Sequence, residues 1–95
     1  MLKLKNYMEI VVEHKLNDIL SYVNICKCNK CRLDIMAIAL NDLPPKYVVT
    51  DMGELFAKVG ELASQFEVDA ETALIKAALF VGKNPKHAPD QPIYD

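Results

Sequence analysis

Between residues 4 and 23, apolar side chains return every three or four positions: Met8, Val11, Val12, Leu16, Ile19, Leu20 and Val23. Glu9, Glu13, Lys15 and Asp18 take the other side. That period predicts a long first helix with one buried stripe, ending near Asn24. From Leu33 to Leu43 the chain reads "LDIMAIALNDL", apolar in nearly every direction around a helix. A helix of that kind is buried on most sides, and Pro44 and Pro45 end it. "KYVVT" is β-branched and aromatic, so it favours extended backbone, but it is too short for a sheet of its own. Thr50 or Asp51 then suits the N-cap of a third helix, whose stripe is Leu55, Val59, Leu62, Ala63 and Phe66. Asp69 is the expected cap of a fourth, with Ala73, Leu74, Ala77, Ala78 and Val81 on its inner side. Ile75, Leu79 and Phe80 widen the apolar surface of that helix past one stripe. Gly82 suits its C-terminal cap.

These elements predict an all-α domain of four to five helices over residues 1–85. The remainder, residues 86–95, is rich in proline and reads as an extended or disordered tail. A chain of 95 residues builds one domain with a thin core. Its second and fourth helices carry more apolar surface than such a core covers, and a second copy is the simplest source of the rest. A closely packed or intertwined homodimer is therefore expected, with Ile35, Ile38, Leu79 and Phe80 as interface candidates.

Composition narrows the partners. The formal net charge is -2, which supplies no broad attraction to nucleic acid or an anionic membrane. No apolar run approaches the roughly 20 residues that span a bilayer. "MLKLKNYMEI" has neither an apolar signal core nor a small-residue cleavage site. A cytoplasmic location is expected, without a membrane partner, and thiols stay reduced there.

All three cysteines, Cys26, Cys28 and Cys31, fall in "ICKCNKCRLD". In a reducing compartment such clusters read as metal ligands or redox groups before disulfides. Three thiolates can converge on one tetrahedral zinc ion. Lys27, Lys30, Arg32 and a helix N-terminus favour the thiolate form. His14, His87, Asp34, water or a second subunit are the candidates for a fourth ligand. Three thiolates donate enough charge to weaken the Lewis acidity of the ion, so the site reads as structural, a staple between the first two helices. No nucleophile with its base, carboxylate pair or phosphate-binding glycine loop accompanies it, and no enzymatic activity is expected.

The run "CRLDIMAIALNDLPPKYVVTDMGELF", with "LKNYMEIVVEHKLNDIL" before it and "NPKH" after it, resembles the late competence protein ComFB family. The resemblance implies a small helical homodimer, zinc at the cysteine cluster and a regulatory role. It also implies a cyclic dinucleotide ligand, c-di-GMP first and c-di-AMP as the competing candidate, and a downstream protein partner whose identity stays open. Such a ligand carries two phosphates and two purines. Within that resemblance, Arg32, Lys46 and Tyr47 offer cations and a ring, and Asp34, Asn41 and Thr50 offer polar contacts. Glu9 is a further candidate for a guanine edge, and His87 for ligand or metal. Arg32 and Asp34 belong near the start of the second helix and Asn41 near its end, so a dimer is needed to bring them to one ligand. The alternative is a zinc-stabilised adaptor dimer with no nucleotide.

Overall fold

A computed structural model describes residues 1–83. In chain order it contains β1 (Leu2–Asn6), α1 (Tyr7–Leu20), α2 (Asn29–Asp42), β2 (Tyr47–Asp51), α3 (Met52–Ala57), α4 (Val59–Gln65) and α5 (Glu67–Lys83). The expected tail and His87 lie outside the described residues.

The first correction is at the start of the chain. Residues 4–6 are strand, not helix. Leu2 and Leu4 alternate with Lys3 and Lys5, the period of two that a strand requires. β1 pairs antiparallel with β2, Leu4 opposite Val49 and Asn6 opposite Tyr47. "KYVVT" thus finds its partner about forty residues upstream, and the domain is mostly helical with a small two-stranded sheet rather than all-α.

Asn6 ties the ribbon to the helices. Its Oδ1 accepts from the amide of Met8, which caps α1, and from the amide of Lys46 at 2.9 Å. Asn6→Ala removes both acceptors, and a cap of this kind is worth about 1 kcal/mol alone. The expected loss is about 1–2 kcal/mol in a denaturant titration. An unchanged midpoint would show that this side chain does not bear the junction.

α1 buries Met8, Ile10, Val11, Val12, Leu16, Ile19 and Leu20, and packs against α2, α4 and α5. α2 begins earlier than the apolar block suggested, with Cys28 as its N-cap. It is less enclosed than expected. Cys31, Ile35 and Ala39 face the core, whereas Leu33 and Ala37 are exposed and Ile38 is half-buried. Its end before Pro44 follows the expectation, with Leu43 extended at the C-cap.

The third helix of the sequence reading is two helices. Asp51 caps α3, its Oδ1 accepting from the amides of Gly53 and Glu54. At Lys58 the backbone leaves helical geometry (φ -99°, ψ 1°) before α4 begins. α5 starts at Glu67, so Asp69 lies in its first turn rather than at its cap. Gly82 is likewise inside α5 instead of ending it. A Cβ there would overlap Cγ2 of Ile25, so this glycine lets the loop ahead of the cysteines sit against the helix. The buried side of α5 is Ala70, Ala73, Leu74, Ala77, Ala78 and Val81, and its small residues let α2 approach closely. Ile75, Leu79 and Phe80 remain on the outside. Lys15 on α1 reaches Glu71 on α5 at 3.1 Å and Glu67 at 3.4 Å. No helix among the described residues is long and apolar enough to cross a membrane.

Candidate functional site

The cysteines occupy the junction between α1 and α2. Cys28 is extended (φ -69°, ψ 165°), and its Sγ accepts from the amide of Cys31 at 3.5 Å. An N-cap sulfur in this position meets the positive end of the helix dipole, which favours a thiolate. Cys31, one turn into α2, is 1% exposed and belongs to the core cluster. Cys26 is exposed and Cys28 half-buried. The three sulfurs lie within 4.8 Å of one another. A tetrahedral ion about 2.3 Å from each sulfur needs them ~3.8 Å apart, so a closure of at most about an ångström completes the set.

Burial, followed by the neighbouring Cys28 and Cys26 sulfurs, pushes the Cys31 thiol up to about 12. Three sulfur donors converge where a second or third negative charge is disfavoured without a cation. That donor set fits a soft or borderline cation rather than calcium or magnesium. No histidine or carboxylate joins the group among the described residues. Asp34 is instead 2.7 Å from Lys30 Nζ, a pair with both side chains largely covered. His14 lines a separate hollow on α1.

That hollow, about 340 Å³, is bounded by Ile10, Glu13, His14, Leu16 and Asn17 of α1, by Arg32 of α2, and by Phe56 and Val59 at the α3–α4 corner. Ile10, Glu13, His14 and Asn17 recur at i, i+3, i+4 and i+7, which places those four on one helical face, with the buried Leu16 beside them. Arg32 Nη2 donates to Asn17 Oδ1 at 2.5 Å. A second hollow of about 380 Å³ lies between α2 and α5, and Ile38, Asn41, Lys76 and Phe80 are among its walls.

The residues assigned to a nucleotide on resemblance are thus spread over the domain. Arg32 borders the α1 hollow, and Asn41 lies at the far end of α2 in the other. Lys46 and Tyr47 are exposed at the start of β2. Thr50 is half-buried, its hydroxyl donating to the carbonyl of Asp51. Within one chain these do not form a single site. Sequence reasoning did not single out Asn17 or Phe56. The α1 spacing from Ile10 to Asn17 carried a signal, but only the packing of Arg32 and Phe56 against it makes a hollow.

A helical domain with a two-stranded ribbon and a tri-cysteine junction defines the class. Residues 5–85 match the family of the late competence development protein ComFB, and the chain belongs to that family. A solved structure, that of the late competence protein ComFB from Bacillus subtilis, is similar to it with a TM-score of 0.77 and 29% sequence identity, over 88% of this chain and 96% of that one. No curated protein sequence matches the chain.

Proposed function

We propose that this protein is a non-enzymatic, dimeric receptor for a cyclic dinucleotide, with zinc closing the cysteine junction and the bound state passed to a protein partner. The ComFB membership supports the regulatory class, and the sulfur-only donor set supports zinc. The single observation that carries the ligand reading is Arg32. Its guanidinium is held by a neutral amide, and none of the ion pairs among the described residues involves it. A positioned cation with its full charge suits a phosphate or a purine edge.

A two-fold ligand suits a two-fold protein. In the proposed dimer, Asn41 of one copy or the β2 residues Lys46, Tyr47 and Thr50 supply the contacts that one chain keeps apart from Arg32. Calorimetry with c-di-GMP and with c-di-AMP tests this. Arg32→Ala and Lys46→Ala are each expected to weaken binding by about thirtyfold or more, as for loss of a charge-assisted contact, without unfolding the dimer. A flat titration with both dinucleotides would overturn the receptor reading. The adaptor alternative would then stand, favoured by the exposed apolar face of the ribbon: Leu2, Leu4, Tyr47 and Val49.

A further inference from the structure

We propose that Cys28 and Cys31 are a thiol–disulfide exchange site: a low-molecular-weight disulfide oxidises them to a bond within the first turn of α2, and that bond and zinc exclude each other. This goes beyond the receptor reading and needs no nucleotide. The helix start sets the pair. Cys28 is the N-cap of α2, and its carbonyl accepts from the amide of Arg32 at 2.9 Å. Its side chain folds back over the turn so made, with Sγ accepting from the amide of Cys31. Cys31 stands three residues on, and residues at that spacing are neighbours on a helix surface. The two sulfurs lie within 4.8 Å of each other. Rotation about the side-chain bonds closes them to the ~2.05 Å of a disulfide while the helix stays formed.

Exposure divides the roles. Cys28 is half-buried, so its sulfur meets a small molecule from solvent, whereas Cys31 is 1% exposed and meets only what Cys28 has captured. One open and one enclosed sulfur at a helix N-terminus is the arrangement that a C-x-x-C exchange pair uses. The Cys28 sulfur attacks one sulfur of the external disulfide. A mixed disulfide forms, the external S–S bond breaks, and the leaving thiolate takes the Cys28 proton. The Cys31 sulfur then attacks the Cys28 sulfur and expels the second thiolate, which takes the Cys31 proton. Two protein thiols are oxidised and one external disulfide is reduced to two thiols. Cys26, exposed on the loop before the helix, remains a thiol. One thiol does not replace three donors, so zinc does not return until the bond is reduced. With zinc in place, both sulfurs are ligands and withdrawn from exchange.

Peptide mapping tests this, because Lys27, Lys30 and Arg32 let trypsin put each cysteine on a separate peptide. Full-length protein, zinc-loaded or stripped with chelator under reduction, is treated with oxidised glutathione, alkylated and digested. In the stripped protein the expected product joins the Cys28 and Cys31 peptides and leaves Cys26 alkylated. That product should take up no zinc until reduced, and bound zinc should slow its formation about tenfold or more, since exchange rates follow access to the sulfur. Cys26→Ser should close the same bond, and adding Cys31→Ser should leave glutathione held on Cys28. A reduced protein that carries no zinc yet closes this bond would sink the zinc reading and leave the exchange site standing. Linkage of Cys26 to either neighbour, glutathione on Cys26 alone, or three alkylated thiols would overturn the site. Equal rates with and without zinc would overturn the mutual exclusion.

Discussion

Protein purified without chelator and kept reduced is expected to carry about one zinc per chain, and Cys28→Ser is expected to lose it with several kcal/mol of stability. Cys28 has two duties, and serine performs only one of them. It is one of three sulfur donors, and its Sγ is the N-cap acceptor for α2. A serine oxygen restores the cap but not the thiolate, so the loss reports on the metal and not on the helix end. The buried Cys31 makes the expected effect large, because a metal held at this junction would tie the start of α2 to the loop that Ile25 seats against Gly82. The pH dependence has a defined sign. Metal must displace the Cys31 proton, held on the thiol up to about pH 12. Affinity therefore falls as pH drops, and acid should release the ion. Elemental analysis and thermal melts with and without chelator read both effects. Reduced protein free of zinc, or a Cys28→Ser melting temperature equal to wild type, would contradict the assignment.

In the proposed two-fold assembly, Ile38→Asp is expected to give unfolded or aggregated protein, and Phe80→Asp a folded monomer. The two differ in burial. Ile38 packs against the core from α2 while also lining the hollow beside Phe80. An aspartate there sets an unpaired charge against apolar side chains, which costs several kcal/mol in a domain of marginal stability. Phe80 is 52% exposed and Leu79 51%, so a charge at position 80 keeps access to water in a lone chain and loses it against a second copy. Ile35 drops out of the interface candidates, because it is wholly enclosed by its own chain. Sedimentation at low micromolar concentration decides the matter: a compact wild-type monomer would overturn the dimer, and an unaltered Phe80→Asp dimer would move the interface elsewhere. Breaking the dimer should also reduce dinucleotide binding, since Asn41 and the β2 residues are distant from Arg32 within one chain.

Local pattern determined much of this protein. The stripes of α1 and α5 follow from apolar spacing, the end of α2 from Pro44 and Pro45, and the α3 cap from Asp51, each within a few neighbouring residues. The cysteine spacing likewise announced its junction, because three thiols within six residues need little help from the rest of the chain to converge. What lay beyond the sequence depended on distant partners. Residues 4–6 fit a helical stripe as well as a strand, and pairing with β2 chose the strand. No proline marks the break at Lys58, and Gly60 two residues on is accommodated inside α4. His14 precedes the cysteines by about three helical turns of sequence, yet α1 points it into a different hollow. That hollow needs side chains from positions 10 to 17, 32 and 56 to 59, and Arg32 becomes a poised cation only through Asn17. Periodicity reports which face of an element is buried; which elements meet across that face is decided by the free energy of packing the whole chain.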